Sequence, residues 1–193
     1  MEMNKIYCMD VFELMKQFPD KSVDIIITSP PYLDKEIEGD YYEFLDKFVS
    51  EAKRISKVIL MFNSSRRIVE ICRRYKDIQH ILIWDKMFTL PAFKYEPIFV
   101  ITKEKIWGRG RIYRDHLRYT IPRKKIHINQ NPVELYEELL KFFPNANLIL
   151  DPFVGSGTTA IACKKHNRNF ICCDNNKEYV NIANERLKQE VLI

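Results

Sequence analysis

Apolar runs of strand length recur along this chain with helical patterns between several of them, and that alternation narrows the fold more than any other feature. The runs cover residues 5–8, 23–28, 58–62, 78–84, 98–102, 147–150 and 170–173. Between them, residues 41–55 place Tyr41, Phe44, Leu45, Phe48 and Val49 at helical spacing, and residues 65–75 put Ile68, Ile71, Cys72 and Tyr75 on one face. Asn131-Pro132-Val133-Glu134 reads as a helix start with proline in the first turn, running to Phe143 before Pro144 ends it. Residues 158–165 and 176–189 complete the helices. Strands alternating with helices predict an α/β fold, a mostly parallel sheet covered on both faces. With 193 residues, 46% of them hydrophobic, the chain can bury a full core as one domain.

Charge is concentrated rather than spread. Between Lys103 and Lys125 nine basic residues face two acids, while the whole chain carries a formal charge of only +5. A lone basic run reads most simply as a solvated loop. Here Trp107, Tyr113 and Tyr119 are interleaved with the arginines, which adds stacking groups to phosphate contacts and predicts a polyanion partner. Residues 103–126 lack clear periodicity and read as an element inserted into a single domain spanning 1–193. No apolar run approaches a membrane span, and the first residues, with Glu2 and Asp10, do not read as a signal peptide. The five cysteines lack metal-ligand spacing, so a reduced cytoplasmic protein without a metal site is expected.

Two loops carry chemistry. Asp151-Pro152 ends a strand, and Gly155-Ser156-Gly157 turns the chain into a helix that begins at Thr158. Glycines there let the backbone approach a ligand, and the helix start presents unpaired N–H groups. A phosphate-binding P-loop would need a lysine next to the serine or threonine, and Thr158-Thr159 follow Gly157 directly. Asp174, after the next strand, stands where nucleotide-binding folds place a carboxylate for ribose hydroxyls. The other loop, Ser29-Pro30-Pro31-Tyr32, closes the run 23–28 and offers acceptors and an aromatic face in a segment stiffened by two prolines.

These residues together resemble the DNA amino-methyltransferases, specifically the beta class, in which the catalytic motif precedes the cofactor motif. The resemblance runs through Cys8-Met9-Asp10, residues 28–32, Trp84-Asp85-Lys86, residues 95–100, residues 127–135 and residues 151–159. It departs from the family pattern at Leu33, where asparagine is usual, at Cys172 in place of glycine, at Asn131 where lysine is common, and in its short recognition region. The resemblance implies a Rossmann-like methyltransferase fold with a mixed, mostly parallel seven-stranded sheet and helices on both faces. It implies S-adenosylmethionine as cofactor, lined by Asp10, Asp151, Phe153, Gly155, Ser156, Gly157, Thr158 and Asp174.

The same resemblance implies methyl transfer to an exocyclic amino nitrogen of a base swung out of double-stranded DNA, with Ser29, Pro30, Pro31 and Tyr32 catalytic. Acceptors from the Ser29 hydroxyl and Pro30 carbonyl would hold the amine and aim its lone pair at the methyl group, and Tyr32 would stack on the base. No cysteine lies in a Pro-Cys loop, which disfavours carbon-5 methylation. In the family it resembles, serine at the head of Pro-Pro-Tyr goes more with cytosine N4 and aspartate more with adenine N6, so the resemblance favours cytosine N4. Arg109, Arg111, Arg114, Arg118, Arg123, Lys124 and Lys125 are expected to meet phosphates. A homodimer or a restriction-system partner would supplement the short recognition segment. The rival readings are an RNA or protein amino-methyltransferase and a non-catalytic DNA-binding subunit.

Overall fold

Side chains alternate across each apolar run so cleanly that one sheet separates two cores. The computed structural model describes residues 1–31, 39–87, 94–104, 114–122 and 130–189. Its strands are β1 (Lys5–Cys8), β2 (Val23–Thr28), β3 (Ser56–Phe62), β4 (Ile78–Asp85), β5 (Tyr95–Thr102), β6 (His116–Arg118), β7 (Leu148–Asp151) and β8 (Asn169–Asp174). The helices are α1 (Val11–Met15), α2 (Tyr41–Ile55), α3 (Ile68–Arg74), α4 (Val133–Lys141), α5 (Thr158–Lys165) and α6 (Lys177–Gln189). Ile25, Ile27, Val58, Leu60, Phe62, Phe170 and Cys172 face α4, α5 and α6. Ile26, Ile59, Met61, Phe99, Ile171 and Cys173 face α1, α2 and α3. A period of two within buried strands thus feeds both layers.

The sheet order is β1-β8-β7-β2-β3-β5-β4-β6. All neighbouring pairs run parallel except those made by β5, which is antiparallel to β3 and to β4. Every strand other than β5 therefore ends on the same edge of the sheet. The path from β2 through α2 to β3 moves one way along the sheet, and the path from β7 through α5 to β8 moves the other. The reversal lies between β2 and β7, the place where open α/β sheets hold ligands beyond their carboxyl ends.

The expected α/β sheet with helices on both faces is observed, with eight strands rather than seven. The additional strand, β6, lies inside the segment 103–126 that shows no periodicity in sequence. Three residues with one apolar side chain are too few to display a pattern. Backbone pairing supplies what pattern does not: Ile83 N–H donates to the Asp115 carbonyl at 2.7 Å, and Tyr119 N–H to that of Asp85 at 3.2 Å. Leu117 is buried, and the Trp84 indole N–H donates to the Tyr119 carbonyl at 2.8 Å. Helix α1 is likewise too short to show in sequence, and the expected helix from residue 65 opens as a 3-10 turn, Ser65–Arg67, before α3. Among the described residues no helix is long and apolar enough to cross a membrane.

The C-terminal helix closes over the glycine turn. Gly157 has φ +85°, and a Cβ built on it would lie 2.9 Å from the Ala183 Cβ and 3.0 Å from the Ala183 Cα of α6. Gly157→Ala should therefore destabilise the protein by about 2 kcal/mol or more, through the left-handed backbone and the overpacked contact together. Ala183→Gly in the same chain should restore little of that loss, as read by urea unfolding, because the backbone of residue 183 stays within 3.2 Å of the added Cβ and glycine weakens α6.

Candidate active site

Both predicted loops leave the sheet at the reversal between β2 and β7. Asp151 ends β7 with 3% of its surface exposed. One carboxylate oxygen accepts the Thr28 hydroxyl at 2.7 Å and the Phe153 N–H at 3.1 Å, and the other accepts the Thr159 hydroxyl. Thr28 is the last residue of β2, and Ser29 follows it. One buried carboxylate thus ties the root of the Ser-Pro-Pro-Tyr loop to the root of the glycine loop and to the first turn of α5. Burial pushes the Asp151 carboxyl up to about 6, against the three hydrogen bonds, which favour its charged form.

The glycine turn is braced from within. Gly155, at φ +49°, donates its N–H to the Asp174 carboxylate at 3.0 Å, and the other Asp174 oxygen accepts the Asn176 N–H at 3.0 Å. Ser156 and Thr158 are buried, and their side chains turn towards Arg186 of α6. The Arg186 guanidinium donates to the Ser156 carbonyl at 2.7 Å and its hydroxyl at 3.2 Å. The Thr158 hydroxyl donates to the Asn131 carbonyl at 3.2 Å, which brings the start of α4 alongside. Gly157 packs on Ala183, so of the predicted cofactor residues Ser156, Gly157 and Thr158 shape the loop through their contacts.

The remaining predicted cofactor residues surround that loop. Asp10 caps α1, one oxygen accepting the N–H groups of Phe12 at 2.8 Å and Glu13 at 3.2 Å. Its other oxygen makes no hydrogen bond among the described residues. β1 pairs with β8 so that Cys8 stands opposite Asp174, and Met9 N–H donates to the Asp174 carbonyl at 3.1 Å. Two carboxylates therefore sit side by side at the ends of neighbouring strands, each with lone pairs for a ligand's hydroxyl or amino groups. Phe153, half-buried, meets Phe48 at 5.2 Å and Phe44 at 6.0 Å edge to face, an apolar wall beside the acids. This combination fits a nucleoside carrying a diol.

On the catalytic side, Ser29 is half-buried and Pro30 buried beyond β2, with Pro31 half-buried; Tyr32 lies outside the described residues. Of the basic residues, Arg118 is exposed at the carboxyl end of β6, 3.6 Å from Asp85, and Arg114 is exposed at the other end of that strand. Arg109, Arg111, Arg123, Lys124 and Lys125 lie outside the described residues. Cys163, Cys172 and Cys173 are buried, and burial raises their thiols well above the ordinary range. They pack as small apolar groups. Thr28 and Thr159 lie within the two motif segments without a role that sequence assigns them, and Arg186 lies outside both. Thr28 carried a faint signal as the polar residue ending an apolar strand next to Ser29; Arg186 carried none.

A mostly parallel sheet with two carboxylates and a glycine loop at its reversal point, and a second loop leaving the same edge, has the architecture of a Rossmann-like methyltransferase. A family model described as DNA methylase, N6_N4_Mtase, matches residues 101–185. Type II methyltransferase M2.LlaDCHI of Lactococcus lactis subsp. cremoris is 44% identical, over 93% of this chain and 87% of the relative. Type II methyltransferase M1.MboII of Moraxella bovis is 28% identical, over 98% of each. The crystal structure of the M1.HpyAVI–SAM complex superposes with a TM-score of 0.72 at 28% identity, covering 94% of this chain and 98% of that one. The chain belongs to the N6/N4 DNA methylase family, the S-adenosylmethionine-dependent DNA amino-methyltransferases. Its alignment with M1.MboII runs over 255 positions against 193 residues here, so that relative carries sequence with no counterpart in this chain.

Asp151 sets a pH dependence whose sign follows from its raised pKa. A carboxyl that titrates near 6 folded and near 3.8 unfolded holds its proton more tightly in the fold. Its charged form thus costs stability at pH 7, and that cost is relieved as pH falls from about 6 towards 4. Relative to Asp151→Asn, the unmodified protein should gain about 1 kcal/mol between pH 7 and pH 5, read by urea unfolding at the two values.

Proposed function

We propose that this enzyme methylates the N4 amino group of cytosine at specific sites in double-stranded DNA, on a base swung out of the helix. The observation that supports methyl transfer at this edge is the Thr28–Asp151 hydrogen bond of 2.7 Å, which ties the root of the Ser29 loop to the root of the glycine loop, while the choice of cytosine rests on Ser29 at the head of Pro-Pro-Tyr. S-adenosylmethionine would lie on the glycine loop, its ribose hydroxyls within reach of Asp174, its adenine near Asp10 and Phe153; when bound it supplies an electrophilic methyl group. The Ser29 hydroxyl and the Pro30 carbonyl would accept the two amine hydrogens. An exocyclic amine is a poor nucleophile because its lone pair conjugates with the ring. Fixed acceptors favour a pyramidal nitrogen and stabilise the positive charge that develops on it. Tyr32 would hold the extruded ring by stacking.

Residues 103–126 are the recognition segment in this reading. What supports it is the position of β6, which sets Arg118 on the same edge of the sheet as Ser29, together with the density of basic and aromatic residues around it. So short a segment reads few bases unaided, which favours a second copy or a restriction-system partner completing recognition in the cytoplasm.

The test is methyl transfer from labelled cofactor to duplex DNA, with nucleosides identified by mass spectrometry. N4-methylcytosine is the expected product. N6-methyladenine would overturn the choice of base and leave the loop assignments standing; transfer to RNA or protein alone would overturn DNA as substrate. Ser29→Ala should lower kcat about a hundredfold while the Kd for S-adenosylmethionine stays within about twofold. Equal losses in both would count against Ser29 as a group that holds the base.

A further inference from the structure

The segment that leaves the sheet at Ser29 rejoins the described fold at Gly39–Asp40 and enters α2, and its return is fastened as deliberately as its departure. Asp40 caps α2, accepting the N–H groups of Tyr42 at 2.7 Å and Glu43 at 2.9 Å. Next to it Tyr41, 4% exposed, receives the side-chain amide of Asn63 on its hydroxyl at 2.8 Å. Asn63 follows β3 and is fully buried. Its amide oxygen accepts the Ser64 N–H at 2.8 Å, and its backbone N–H donates to the Pro97 carbonyl at 3.2 Å. The Arg67 guanidinium covers the Tyr41 ring at 3.8 Å.

These groups lie where they can govern the base loop. In the β2–β3 register Thr28 stands opposite Met61, and Asn63 is two residues further along the same edge. The loop therefore has two roots on adjacent strand ends, one tied by Thr28 to Asp151 and the other by Tyr41 to Asn63. A buried asparagine is an expensive choice for packing alone. Leucine would fill similar volume without needing partners, whereas the amide fixes a direction as well as a contact.

We infer that Asn63 and Tyr41 are positioning residues for methyl transfer, holding the downstream root of the Ser29 loop so that its acceptors meet the target amine. The inference rests on the reading that this loop holds the base. Both side chains are buried, so they act through the loop they hold. Because the reaction depends on aligning a nitrogen with a methyl group, a small shift of the loop lowers turnover far more than cofactor binding, by about ten- to a hundredfold.

The experiment compares Tyr41→Phe, Asn63→Leu and the double variant with the unmodified enzyme and with Ser29→Ala. Measured for each are kcat on duplex DNA, the Kd for S-adenosylmethionine and the melting temperature. Tyr41→Phe keeps the ring under Arg67 and leaves the Asn63 amide without its partner. It should lower kcat at least tenfold with the cofactor Kd within about twofold. The double variant removes the Tyr41–Asn63 pair but leaves the Ser64 N–H without its acceptor, so its melting temperature should recover only in part relative to Asn63→Leu while kcat stays low. Recovery of kcat together with melting temperature would mean a merely structural role and would overturn the inference. So would an unchanged kcat in Tyr41→Phe. Failure of Ser29→Ala to affect turnover in an active enzyme would instead strike the reading of the loop itself, and lack of any transfer by the unmodified protein would strike the DNA reading.

Discussion

The structure turns on one buried carboxylate. Asp151 is nearly sealed from solvent, a placement that costs free energy unless its oxygens are matched by donors. Its three donors come from three places: the end of β2, the backbone after β7 and the first turn of α5. Satisfying that single group requires β2 beside β7, a tight turn after Pro152 and a helix starting at the right height. Those conditions are also the ones that bring the proposed base-holding loop against the proposed cofactor loop. The need to satisfy a desolvated acid and the need to juxtapose two reactants are met by the same geometry.

Strand direction does the rest of the arranging. Because only β5 runs against its neighbours, the ends of β1, β2, β3, β4, β6, β7 and β8 share one edge. Asp10, Ser29, Asn63, Lys86, Arg118, Asp151 and Asp174 follow or close those strands and therefore gather along it. The α2 and α3 layer on one face and the α4, α5 and α6 layer on the other provide rigid walls, and the chemistry is left to short connections at the rim.

Much of this was legible in the residues. Strand runs and helices of ordinary length announced themselves through period, and the two loops through composition. The α2 bounds, 41–55, and the α5 bounds, 158–165, were read as they stand. The short elements β6 and α1 were not, since neither carries the continuous apolar run that marks the comparably short β1 and β7, and their stability comes from partners elsewhere. The site divided along the same line. Carboxylates and glycines with motif spacing could be named, whereas Thr28, Asn63 and Arg186 act through contacts with residues far away in sequence. Arg186 reads as one more charge on an amphipathic helix until the fold buries it against Ser156. Gly157 was legible as a special residue, though the neighbour that demands it, Ala183, was not.

The adjacency of β2 and β7 has a consequence for how the molecule comes into being. Thr28 and Asp151 are 123 residues apart, so the centre of the sheet is assembled from the early and late parts of the chain. A nascent polypeptide that has not yet emerged past β7 exposes one flank of a strand as apolar as Val23–Thr28, whose other flank alone can pair with β3. Such long-range closure slows folding and leaves an unpaired edge exposed during synthesis. The crevice exists only once the last quarter of the chain has docked, so no partial product can carry a working half of it.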